Sequence, residues 1–239
     1  MTNLPFAGQT ALVTGASKGI GAATAQALAA AGAHVILTGR DTKALEAVED
    51  AIFQAGGAAT IAPVDLAEPD GIARLATAVS QRWDKLDILV VNAALLPELT
   101  SVADIDQKAW GKAITVNMLA TQALIANFDR LLRKSADARV IGLTSTVAQA
   151  PRAFWGAYAS TKAAFEMLLQ CYGQEVANIA KVRVALLNPG ATRTAMRARA
   201  YPGEDPASVK PPEVVAERIV SLLNEPFSSG YREDVNQVR

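Results

Sequence analysis

Tyr158 and Lys162, in the stretch Tyr158-Ala159-Ser160-Thr161-Lys162, are the residues best suited to chemistry. On a helix, residues four apart share one face, one turn apart. An ammonium beside a phenol favours the phenolate and lowers its pKa from about 10 toward the working range of a general acid/base. The pair alone says little, because Tyr and Lys at this spacing occur by chance on many solvated helix faces. Its meaning depends on what the rest of the chain places beside it.

Several other chemistries are excluded. The chain has 239 residues with one histidine, His34, and one cysteine, Cys171. No intrachain disulfide can form, and no zinc site can be built from the usual Cys/His set, so no metal is expected. A Ser-His-Asp triad would need His34, which sits in an apolar run and reads as a strand-edge residue. Cys171 reads as a small core-facing helix residue. Lys plus Arg number 23 and Asp plus Glu number 23, and this balance calls for neither nucleic acid nor an anionic membrane. With 51% hydrophobic residues, a packed core is the default. No secretory signal and no stretch of transmembrane length is visible, so a cytoplasmic location is expected.

The elements that must position the pair alternate along the chain. Apolar runs near residues 10–14, 34–38, 60–64, 86–91, 139–144 and 183–188 read as strands. Between them lie helical patterns: the Ala-rich stretch 22–31, a helix capped by Asp41 with Leu45, Val48 and Ile52, and one with Ile72, Leu75 and Val79. A long helical region at 107–134, the motif helix at 157–178, and a last helix opened by Pro211-Pro212 complete the set. The run at 86–91 is too continuous for a half-exposed strand, which implies burial on both faces of a parallel sheet. The expected architecture is α/β: one domain over residues 1–239, a doubly wound, Rossmann-like parallel sheet with helices on both faces. The polar end, residues 228–239, is left open between a short seventh strand and a tail.

Thr14-Gly15-Ala16-Ser17-Lys18-Gly19-Ile20-Gly21 joins the first strand to the first helix. Gly15 permits the tight turn, while Gly19 and Gly21 let backbone approach a pyrophosphate at the helix N-terminus. With Tyr158-x-x-x-Lys162, this loop resembles the short-chain dehydrogenase/reductase family. Asp65-Leu66 is similar to that family's adenine-binding step, and Val91-Asn92-Ala93-Ala94 to its Asn-Asn-Ala-Gly motif. Asn117 and Ser145 stand at its helix asparagine and its serine. Asn188-Pro189-Gly190, Thr192 and Thr194 fall on its nicotinamide-side motif. Val91 and Ala94 depart from the motif, and Ser229 to Asp234 depart from the apolar final strand of relatives.

The resemblance implies reversible hydride transfer between a nicotinamide and a carbonyl/alcohol carbon. Tyr158 is the general acid/base, and Lys162 lowers its pKa and bonds the nicotinamide ribose. Ser145 holds the substrate oxygen, and Asn117 anchors a water linking Lys162 to solvent. The cofactor set is Gly15, Ser17, Lys18, Gly19, Ile20, Gly21, Arg40, Asp65, Leu66, Asn92, Ala93, Tyr158, Lys162, Pro189, Gly190, Thr192 and Thr194. The second strand ends Thr38-Gly39-Arg40, with no carboxylate to accept from a ribose 2′-hydroxyl. Arg40 and Lys18 could bracket a 2′-phosphate, so NADP(H) is expected over NAD(H). Residues 94–99, 146–156 and 191–208 should face a small-molecule substrate, with the loop at about 191–210 a mobile lid. Phe154 and Trp155 suggest an apolar wall, and Arg193, Arg197 and Arg199 read as a solvated basic loop rather than an anion site. By resemblance, the helices at 107–134 and 157–178 make homodimer or homotetramer contacts. Two alternatives from other classes remain: a non-catalytic nucleotide sensor on the same fold, and a glycine-loop methyltransferase, which should lack the Tyr/Lys pair.

Overall fold

The computed structural model describes residues 4–235. Seven strands form one parallel sheet: β1 (Thr10–Thr14), β2 (His34–Gly39), β3 (Ala58–Pro63), β4 (Ile88–Val91), β5 (Ala138–Leu143), β6 (Val182–Asn188) and β7 (Tyr231–Asp234). Their order across the sheet is β3-β2-β1-β4-β5-β6-β7. The order reverses between β1 and β4, and the crevice outside the carboxyl ends of strands at such a switch point is where ligands bind on open α/β sheets.

Helices cover both faces. α1 (Gly19–Ala30), α2 (Thr42–Gln54) and, late in the chain, α8 (Pro212–Asn224) pack on one side. The core there joins Val13, Leu28, Leu37, Leu45 and Ile219. α3 (Gly71–Arg82), α5 (Ala120–Arg133) and α6 (Gly156–Val176) cover the other, around Leu12, Leu75, Leu89, Phe128, Phe165 and Leu169. Leu12 and Val13 are neighbours that enter opposite cores, as the period of two along a strand requires. β4 is buried along its whole length. Asp41 caps α2, accepting from the Ala44 amide at 3.2 Å.

Two features differ from the sequence reading. The 107–134 region is not one regular helix. α4 (Gln107–Ile114) passes into a π-helical turn, Thr115–Leu119, before α5 continues. A π turn marks an inserted residue and often sits at a functional position; here it carries Asn117. Cys171 is exposed rather than core-facing. It follows Met167 by one turn on the outer face of α6, opposite the buried stripe of Tyr158, Lys162, Phe165 and Leu169. His34 stands at the edge of its strand, as the first residue of β2. Its ring packs on Trp83, and its Nε2 meets Thr60 Oγ1 at 2.9 Å.

Of the two alternatives left open for the polar end, the structure shows the short seventh strand, β7. It pairs in parallel with β6 although its sequence, Tyr-Arg-Glu-Asp, is polar. An edge strand needs only one partner, and these charges find theirs locally. Arg218 of α8 donates to Glu233 at 2.7 Å, and Arg232 reaches Glu166 of α6 at 3.5 Å. Residues 236–239 of the polar end lie outside the described residues. Among the described residues, no helix is long and apolar enough to cross a membrane.

Candidate active site

The glycine turn is built so that side chains are kept out. Gly15 and Gly19 have φ of +65° and +56°, a region that L side chains rarely adopt. A Cβ at Gly21 would stand 2.2 Å from the Gly15 carbonyl oxygen and 2.6 Å from Asn92 Nδ2. Asn92, at the end of β4, closes the turn from below: its Nδ2 donates to the Thr14 carbonyl at 2.8 Å. The Thr14 hydroxyl accepts from the amides of Asn92 and Ala93 at 2.9 and 3.0 Å. β1 and β4 are thereby locked together at the switch point. The N-terminus of α1 has no side-chain cap and no acid in its first turn, so its amides can meet an anion. The residues present therefore fit a dinucleotide pyrophosphate.

Farther out, Ser17 meets the end of β2 and Arg40 follows that strand, while Lys18 is exposed at the N-cap of α1. A Cβ at Gly39 would lie 3.7 Å from Ser17 Oγ, an ordinary contact. Arg40 lies 3.9 Å from Asp65, with its side chain 55% exposed. A pair this long and this wet is weak and leaves the guanidinium available. Asp65 also accepts from the Ala67 amide at 3.0 Å, which fixes the turn carrying Leu66.

The catalytic candidates converge on the same edge. Ser145 follows β5, and Tyr158 and Lys162 share the buried face of α6. Lys162 is 2% exposed; its Nζ donates to the Leu143 carbonyl at 2.6 Å and lies 4.2 Å from the Phe165 ring. The sequence leads one to expect an ammonium that lowers the phenol's pKa. In the protein alone, burial dominates both groups: it pushes Tyr158 well above the usual tyrosine range and Lys162 down to about 7. Desolvation disfavours phenolate and ammonium alike. The nearby carboxylate of Glu166 opposes the shift of Lys162 and is outweighed.

Asn117, 1% exposed, is engaged by protein through its whole amide. Oδ1 accepts from the Leu95 amide at 2.7 Å, and Nδ2 donates to the Leu95 carbonyl and to Thr161 Oγ1, both at 2.9 Å. The side chain thus ties the π turn to α6 and to the segment after β4. A water held at this position would have to use backbone carbonyls.

One cavity of about 440 Å³ joins the two sets. Ile20 of the glycine turn lines it, with Ser145 and Tyr158 and with Pro189, Gly190, Thr192 and Thr194 from the segment after β6. Asn188 braces that segment, donating to Thr146 Oγ1 at 2.9 Å and accepting from the Gly190 amide at 3.1 Å. The following segment contains a short helix, α7 (Ala195–Ala200), capped by Thr194. Its two ends are tied, since the Arg193 amide donates to the Lys210 carbonyl at 2.8 Å and Lys210 Nζ to the Ala191 carbonyl at 3.1 Å.

Residues 154 and 155 part company. Trp155 lines the cavity with its ring 6.0 Å from that of Tyr158, whereas Phe154 points outward, 61% exposed, at φ +71°. The expected two-residue apolar wall is therefore Trp155 together with Tyr201. Sequence reading also missed Glu166. It is 5% exposed and accepts from Thr144 Oγ1 at 2.6 Å and Gln149 Nε2 at 2.9 Å. The signal was present, because Glu166 follows Lys162 by four residues on the same helix face.

A parallel sheet in this order, a side-chain-free turn at its switch point and a tyrosine–lysine pair on the facing helix define a dinucleotide-fold oxidoreductase class. The family model for short chain dehydrogenase matches residues 9–205, and the chain belongs to that family. The oxidoreductase YciK of Escherichia coli K12 is 36% identical over 217 residues, covering 90% of this chain and 85% of the relative. The 2,3-dihydro-2,3-dihydroxybenzoate dehydrogenase of Bacillus subtilis is 29% identical over 93% of this chain and 81% of its own. Among solved structures, a Shigella flexneri short chain dehydrogenase complexed with NADP superposes with a TM-score of 0.93 at 32% identity, covering 98% and 99% of the two chains. One from Escherichia coli CFT073 complexed with NADPH gives 0.93 at 33% identity, covering 99% and 100%.

Proposed function

We propose that the protein is an NADP(H)-dependent oxidoreductase that interconverts a carbonyl and an alcohol, with Tyr158 as general acid/base. The observation that carries this reading is the shared cavity, in which Ile20 of the glycine turn faces the same space as Ser145 and Tyr158. NADP(H) is supported by the two relatives solved with it, by the lack of an acid at Gly39, and by Lys18 and Arg40.

The nicotinamide supplies or accepts the hydride. Ser145 donates to the substrate oxygen and holds it beside the phenol. In reduction, Tyr158 gives its proton to that oxygen as the carbon takes the hydride, and C=O becomes C–OH. A phenol held in its neutral form by burial is ready for that direction. Lys162, protonated when it binds the ribose hydroxyls, stabilises the phenolate left behind. Asn117 keeps the helix and the segment after β4 in register. Pro189, Gly190, Thr192 and Thr194 hold the nicotinamide side, and Asp65, Leu66, Asn92 and Ala93 the adenosine side and the turn. The loop at about 191–210 closes over the substrate.

NADPH oxidation followed against a panel of ketones and aldehydes tests the proposal. Cofactor binding without turnover of any member would favour a sensor. A Gly39→Asp variant, which the backbone accommodates, should shift the NADPH/NADH preference toward NADH by roughly tenfold. Wild-type preference for NADH would refute the cofactor assignment. We also propose a homo-oligomer formed through α4–α5 and α6, which expose Leu119 and Met167; a monomer in light scattering would refute it.

A further inference from the structure

The cavity carries information about what the substrate must look like. Its wall away from the glycine turn is made by Trp155, Tyr201, Leu96 and Met196, with two arginines, Arg152 and Arg197, among the lining residues. These arginines are not equivalent. Arg197 Nε donates to Glu204 at 2.6 Å, and its charge is neutralised there. Arg152 has no carboxylate partner among the described residues. It donates to the Tyr201 hydroxyl and lies over two rings, 5.7 Å from that of Trp155 and 5.2 Å from that of Tyr201.

That stacking fixes the guanidinium plane against the aromatic pair, whose rings are 5.9 Å apart. The remaining N–H groups form a planar fork, the geometry that recognises a carboxylate with two parallel hydrogen bonds. The Trp155 ring is in contact both with the Tyr158 ring, at 6.0 Å between centroids, and with the Arg152 guanidinium, at 5.7 Å. A molecule with its carbonyl at Ser145 and Tyr158, and with a flat body along Trp155, brings its far end to Arg152. One unneutralised positive charge matches a single negative charge, which favours a carboxylate over a phosphate dianion.

We infer that the substrate is a carbonyl or hydroxy compound with a flat apolar body and a carboxylate at the end remote from the reacting carbon, and that Arg152 is the residue that reads this carboxylate. This rests on the oxidoreductase reading above. The chemistry is unchanged: one hydride to the carbonyl carbon and one proton to its oxygen, with the carboxylate untouched.

The test compares para-acetylbenzoate and para-formylbenzoate with their neutral methyl esters, using NADPH as the reductant. The wild type should favour each acid over its ester in kcat/KM by at least about tenfold, the worth of one charge-assisted bond. Arg152→Met, which keeps an unbranched stem against Trp155, should bring that ratio to about one through the KM of the acids. Arg152→Lys should restore part of it. An acid/ester ratio of one or less in the wild type overturns the inference, as does an Arg152→Met protein that keeps the wild-type ratio. Calorimetric affinities of the NADP-loaded wild type for acid and ester separate this reading from the one beneath it. Tighter acid binding without turnover supports the anion site and removes the redox assignment. Turnover of esters and acids alike keeps the redox assignment and removes the anion site.

Discussion

The two ends of the cavity are built by different means. At the cofactor end, shape is set by backbone: a left-handed Gly15, a Gly21 with no room for a Cβ, and amide and carbonyl groups held by Thr14 and Asn92. At the substrate end, side chains set it: Trp155, Tyr201, Arg152 and Met196 come from two segments far apart in sequence. A backbone-built site tolerates little variation in residue type, because each position forbids atoms. A side-chain-built site can change its contents while the scaffold stays fixed. The same fold can therefore keep one cofactor and exchange substrates.

The largest effect expected lies where the two ends meet. Tyr158→Phe should lower turnover at least about a hundredfold, the low end for a positioned acid/base. The ring is retained, so its packing on Trp155 and cofactor binding should survive. Steady-state kinetics with fluorescence titration of NADPH checks both parts. Near-normal turnover would mean that the phenol is only a wall of the cavity.

Gly21→Ala tests the cofactor end alone. The added methyl meets the Gly15 carbonyl and the Asn92 amide, neither of which can retreat without opening the β1–β4 lock. Overpacking of this kind costs about 1–3 kcal/mol. Thermal stability and NADPH affinity should fall together. A variant with wild-type stability would show that the turn is looser than its hydrogen bonds imply.

How much of this could be read from the sequence follows from the same contrast. The glycine spacing, the strand runs and the Tyr/Lys pair were legible because each is a local pattern with a local cause. Arg152 and Tyr201 were not, since they meet only after residues 152 and 201 are brought together from separate loops. The exposure of Cys171 was missed for another reason. Ala-rich α6 has apolar residues on both faces, so periodicity does not say which face is inward. The π turn at Asn117 left no compositional trace. The polar β7 could be read only as a strand or a tail, because its partners, Arg218 of α8 and Glu166 of α6, come from other elements.

Lys162 sharpens the comparison through pH. Its pKa in the folded protein is about 7, below the 10.5 of a free lysine, because burial strips water from the ammonium. Between those values the unfolded chain binds a proton that the folded chain does not, so stability rises with pH. The contribution is complete above 10.5 and is lost as pH falls through 7. Lys162→Met removes this dependence. The melting-temperature difference between wild type and Lys162→Met, measured without cofactor by scanning fluorimetry, should move in favour of the wild type from pH 7 to pH 10. A pH-independent difference would mean that Lys162 stays charged in the free protein.

The smallest effect expected separates two adjacent residues. Phe154 holds a left-handed backbone, which costs an L residue of this kind roughly 1–2 kcal/mol, and its ring lies in solvent. Asn adopts that conformation more readily and loses no buried contact here. Phe154→Asn should raise stability by about 1 kcal/mol or less, or a few degrees in melting temperature for a chain of this length. It should leave kcat/KM alone, because the side chain is outside the cavity. Trp155→Ala, one position on, removes the ring that meets both Tyr158 and Arg152 and should raise KM. If Phe154→Asn instead raised KM, that ring must turn inward over the substrate, and the wall of the cavity would include a residue that this conformation holds outside it.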